Sequence, residues 1–115
     1  MKKQVAWLTL LLLPGTAFAY DYPTYDRVEF VLQCAQRFPA YEYYGALYKC
    51  SCAIDAIAKE IKYEDYVEYT TSLRGQRTPG EGGGIFRDSP DIKKMAKRYE
   101  EIKANADKEC LIKAK

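Results

Sequence analysis

Four cysteines constrain this chain more than any other feature: Cys34, Cys50, Cys52 and Cys110, in a sequence with no histidine. Cys50 and Cys52 stand in the run YKCSCAIDAI (residues 48–57), whose apolar spacing is helical. Two positions on an α-helix differ by about 200° of rotation, so these sulfurs point to nearly opposite sides. A Cys50–Cys52 bridge would close a very tight ring and break the helix. In a small exported domain an even cysteine count reads as a disulfide framework. Two pairings then remain, each joining Cys34 to one member of the C-S-C pair and Cys110 to the other. Either way a central helix is held by a neighbour on each flank. On the chain-entropy account a Cys34–Cys50 bridge contributes about 3 kcal/mol and a Cys52–Cys110 bridge about 4 kcal/mol.

The compartment is read from the first 19 residues. Lys2 and Lys3 form a basic start, residues 5–13 (VAWLTLLLL) a short apolar run, and Ala17-Phe18-Ala19 an A-x-A cleavage site. Nine apolar residues are too few for a membrane span, which needs about 20. The reading is a signal peptide over 1–19, cleaved after Ala19, and one exported, periplasmic or secreted domain over 20–115. Without Lys2 and Lys3 the chain holds 16 basic and 16 acidic residues. That balance argues against nucleic acid or an anionic membrane as a partner, because both call for a basic field. No later run is long and apolar enough to span a bilayer.

The expected fold is all-α: a small four-helix domain stapled by two disulfides. Thr24 is placed to cap a first helix, on which Val28, Val31, Cys34, Ala35 and Phe38 follow helical spacing until Pro39 stops it. A second helix is expected over 41–61 through Leu47, Cys50, Ile54, Ile57, Ala58 and Ile61, and a third over 63–73 through Tyr66, Val67 and Thr70. Residues 74–88 (RGQRTPGEGGGIFRD) carry five glycines and one proline and read as a loop, with Ile85 and Phe86 tucked onto the core. Ser89-Pro90-Asp91 then supplies a capping hydroxyl, a proline at the first helical position and an acid, starting a last helix that reaches Cys110.

Chemistry is sparsely signalled. Without histidine the chain lacks the commonest general base and triad partner. The acidic pairs Glu64/Asp65 and Glu100/Glu101 diverge as helix neighbours and read as solvated faces. The segment PGEGGG lacks the Lys-Ser/Thr ending and preceding strand of a phosphate-binding loop. The cysteine spacings match no common zinc pattern. The chain is therefore read as no enzyme, with no catalytic residue, no cofactor and no metal.

Tyrosine is the compositional outlier, with 11 residues, all after Ala19. An apolar ring with a wet hydroxyl suits partly buried surfaces and interfaces. Tyr41, Tyr43, Tyr44 and Tyr48, with Tyr20, Tyr22 and Tyr25, are read as a candidate aromatic patch. Arg74, Arg77 and Arg87 flank the expected loop as candidate partner contacts. The function expected is a non-catalytic periplasmic accessory or binding protein acting through the Tyr-rich surface and the 74–88 loop. The alternatives are a thiol-disulfide redox protein using Cys50 and Cys52, or a metal or small-ligand carrier.

The run YKCSCAIDAIA, then YEDYVEYT, then RTPGEGGGIFRDSP and the C-terminal Cys110 is similar to small uncharacterised secreted proteobacterial helical proteins with a C-x-C motif. The resemblance covers nearly the whole chain after Ala19. It implies an accessory role beside periplasmic quinoprotein dehydrogenase and cytochrome c systems, and a periplasmic redox enzyme as partner.

Overall fold

A computed structural model describes residues 20–113; the leader expected over 1–19 lies outside them. Five helices and no strand occur among the described residues: α1 (Thr24–Arg37), α2 (Tyr43–Glu60), α3 (Tyr63–Arg77), α4 (Glu81–Asp88) and α5 (Pro90–Glu109). The all-α, doubly stapled domain is as expected. Helix α1 packs along α2, α2 against α5, and α3 against α4 and α5.

Both bridges radiate from α2, and they settle the pairing. Cys34 of α1 joins Cys50 with 5.9 Å between Cα atoms, and Cys52 joins Cys110, just past α5, at 5.7 Å. Neighbouring thiols of one helix thus bind different partners, as their opposed directions require. No described cysteine is free.

The helix ends follow local chemistry. Helix α1 starts at Thr24 itself, with Pro23 in the cap position and no side-chain cap, and it ends ahead of Pro39. Helix α3 carries Glu64 and Asp65 in its first turn and Arg74 and Arg77 in its last, the order favoured by the helix dipole. Ser89 ends α4 and caps α5, its hydroxyl accepting from the Ile92 N–H. At the end of α5 the Ile112 N–H donates to Asp107 C=O (2.8 Å) and the Leu111 N–H to Lys108 C=O (3.2 Å). This is a Schellman motif, and it places Leu111, a non-glycine residue, at φ 56°.

The expected loop over 74–88 is corrected. It consists of the last turn of α3, a bend at 78–80 and the two-turn helix α4. Glycine-rich sequence disfavours a helix by about 1 kcal/mol per glycine, and tertiary contact overrides it here. Gly75 lies against the Phe86 ring and Gly83 against the Thr78 carbonyl, where a Cβ would clash. Arg87 clamps the bend from the surface. Its guanidinium donates to the carbonyls of Gln76 (3.2 Å) and Thr78 (2.7 Å), which the end of α3 leaves orphaned, and to that of Gly80 (2.7 Å) at the start of α4.

The core runs from the inner face of α2 (Ala53, Ile54, Ile57) to a chain of tyrosine rings on the α3 and α5 side. Tyr22, Tyr66, Tyr69 and Tyr99 are buried, with successive ring centroids 4.8–6.2 Å apart. The Tyr22 hydroxyl donates to Ile61 C=O at 2.8 Å. Three apolar residues expected inside, Val28, Val67 and Ile85, are exposed; of the pair expected to tuck in from 74–88, only Phe86 does so, against Gly75. On α1 the buried place is taken by Phe30. On α3 the inward row is Tyr66, Tyr69, Ser72 and Gly75, at a spacing of three.

Candidate functional site

The expected aromatic patch divides. Tyr22 belongs to the core and is removed from the patch. Tyr41 is half-buried and ties down the C-terminal end: its hydroxyl accepts from the Lys113 N–H (3.0 Å), and the Lys49 ammonium lies 4.6 Å from its ring centroid. That ammonium also donates to Leu111 C=O at 2.6 Å. Tyr43, Tyr44 and Tyr48 of α2 are exposed, at 67%, 81% and 79%; Tyr20 and Tyr25 are exposed too, at 40% and 75%, ahead of α1 and in its first turn. Tyr44 and Tyr48 are one turn apart on the outer face of α2. The Tyr43 and Tyr44 rings meet edge to face at 5.4 Å.

Beside these rings a groove of about 420 Å³ runs between α1 and α2. Val28 and Leu32, one turn apart on α1, form one wall, and Tyr43 and Leu47 of α2 form the other; Val31 and Ile54 line it from beneath. Arg27 and Asp55, paired at 2.6 Å, also line it. Val28, Leu32, Tyr43, Tyr44 and Tyr48 are thus large apolar or aromatic side chains in water on one disulfide-linked helical hairpin. Exposed apolar surface gathered in this way is the usual mark of an interaction site. The missed member is Leu32, whose position off the buried stripe of α1 was the available sequence signal.

The arginines do not join this surface. Arg87 is committed to three carbonyls, and Arg74 is paired with Glu29 at 3.0 Å. Arg74 and Arg77 line a separate cleft, formed by α1, α3 and α5. Helix α1 divides the two: Val28 and Leu32 face the groove, whereas Glu29, Gln33 and Arg37, also four apart, face the cleft.

The cysteines offer no paired thiol. Cys34 and Cys50 are almost wholly buried, Cys110 is buried and Cys52 half-buried, each in a bridge to another helix. Among the described residues no three Cys, Asp or Glu side chains gather as metal ligands.

No protein-family model, curated protein or solved structure matches this chain.

Proposed function

We propose that this protein is a non-catalytic binding module of an oxidising, extracytoplasmic compartment, and that it docks a partner protein on the outer face of the α1–α2 hairpin. One observation carries the reading: Tyr43, Tyr44 and Tyr48 lie exposed beside the apolar groove walled by Val28, Leu32 and Leu47. Rigid aromatic side chains give large contact area at low entropic cost, and they are enriched where interfaces concentrate binding energy. The hairpin beneath is braced by the Cys34–Cys50 bridge, so little ordering is left to be done on docking. Two disulfides in so small a domain support an exported location, since reducing cytosol does not maintain them. A periplasmic redox enzyme is the partner class implied by the sequence resemblance.

The test is an affinity purification from native periplasm with the wild-type chain and with Tyr43→Ala/Tyr44→Ala. The wild type should enrich a partner that the variant loses, while the far-ultraviolet circular dichroism of the two coincides. Equal retention by both proteins would remove the proposal.

A further inference from the structure

The cleft between α1, α3 and α5 has a chemistry unlike that of the groove. Its volume is about 330 Å³, at the small end of ligand-sized sites. Phe30, Leu73, Tyr66 and Tyr99 supply apolar lining, with Tyr66 and Tyr99 only 6% and 4% exposed. Four cations line it, Arg37, Arg74, Arg77 and Lys103, against the single carboxylate of Glu29. Residues 20–115 hold equal numbers of acids and bases, so this gathering is local and not a reflection of bulk composition.

Internal pairing leaves part of that charge over. Arg74 donates to Glu29 at 3.0 Å, and Lys103 lies 3.3 Å from Glu100. Arg37 and Arg77 have no carboxylate within 4.0 Å among the described residues. Two exposed guanidinium groups therefore stand at the mouth of an apolar lining without a direct ion pair, Arg37 feeling the Asp107 carboxylate only from beyond ion-pair distance.

A second observation is independent of the charge. Neither the Tyr66 nor the Tyr99 hydroxyl has a hydrogen-bond partner among the described residues, although both side chains are more than nine-tenths buried. Neither oxygen is sealed away, because no buried side-chain polar atom is left unsatisfied among the described residues. Burial raises both phenols well above the usual tyrosine value, Tyr66 to about 12, so both keep the proton they would donate.

We propose that this cleft binds a small aromatic carboxylate, its anionic end held by Arg37 and Arg77 and its ring laid against Phe30 and Leu73. A guanidinium matches a carboxylate in planar, two-point geometry. A bare inorganic anion would leave the apolar lining in contact with water, and a neutral ring would leave the two guanidinium groups unanswered.

Phenylacetate titrated into the oxidised protein tests this, with amide chemical shifts read by NMR. Saturable shifts should centre on Phe30, Arg37, Thr70 and Arg77. Phenylacetamide, which keeps the ring and loses the charge, and acetate, which keeps the charge and loses the ring, should each bind at least about ten-fold more weakly. Arg37→Gln/Arg77→Gln should cost phenylacetate about ten-fold or more in affinity while leaving the rest of the spectrum in place. Three results would each overturn the proposal: no saturable shift at the cleft by about 10 mM phenylacetate, equal response to acetate, or unchanged affinity in the double variant. The α1–α2 surface is untouched by these substitutions, so the partner-docking reading stands or falls separately.

Discussion

Removing the bridges one at a time, and then together, tests how this domain is stabilised. The Cys34–Cys50 bridge spans a sequence separation of 16 and the Cys52–Cys110 bridge one of 58. Chain-entropy loss then assigns about 3 kcal/mol to the first and about 4 kcal/mol to the second. The two loops share no residue, so neither bridge shortens the other, and the losses should add to about 7 kcal/mol. A domain of this size has about 5–15 kcal/mol in total. Cys34→Ala/Cys50→Ala and Cys52→Ala/Cys110→Ala should therefore each fold with a lowered denaturation midpoint, and the four-alanine variant should lie near or beyond the edge of folding. Cys34 and Cys50 are the more deeply buried pair, so lost packing adds to their entropic cost and narrows the gap between the two variants. Urea unfolding followed by far-ultraviolet circular dichroism measures all three. A loss below about 1 kcal/mol in Cys52→Ala/Cys110→Ala, or a four-alanine variant no weaker than that one, would refute the account.

Alkali should unfold the protein through its buried phenols. Tyr22, Tyr66 and Tyr99 have folded pKa values raised above the ordinary value of 10.0, chiefly by burial, Tyr66 to about 12. The neutral phenol is the form the fold favours, so this stability is complete below about pH 10 and declines as the pH passes through 12 and above. Tyrosinate absorbance from these three should appear together with the loss of helical dichroism; complete ionisation by about pH 11 with helicity intact would contradict it. At the end of α5, Leu111→Gly should raise stability by about 0.5–1 kcal/mol, because φ 56° strains a residue with a Cβ and the leucine side chain is exposed. Thermal denaturation reads the gain, and a lower melting temperature would show that the leucine makes a contact worth more than the strain.

Several elements were legible because one local rule governs them. Ser89-Pro90-Asp91 opened α5, Pro39 closed off α1, and the 200° between Cys50 and Cys52 required two outward bridges. Helix α4 was not legible, since its composition opposes a helix and only the Phe86 ring over Gly75 and the Arg87 clamp make one there. The fate of each tyrosine was equally hidden. A ring with a hydroxyl suits core and surface alike, so Tyr66 and Tyr44 look similar until packing separates them. The spacing of Tyr66, Tyr69 and Ser72 does mark the inner row of α3, but the aliphatic Val67 beside Tyr66 draws attention away from it. The groove was partly readable from Leu32. The cleft was not, because Arg37, Arg77 and Lys103 come from three helices and meet only through tertiary contact.

Placed one after the other along the chain, the bridges also define a route for mechanical load. Tension applied at the two ends enters Cys34, crosses to Cys50, passes through Ser51 and leaves Cys52 for Cys110. Helices α3, α4 and α5 lie wholly within the bypassed span and bear none of it. At about 3.4 Å per residue, the two spans withhold about 250 Å of extension. Under pulling, the oxidised molecule would behave as a short tether carrying a folded, unstressed body.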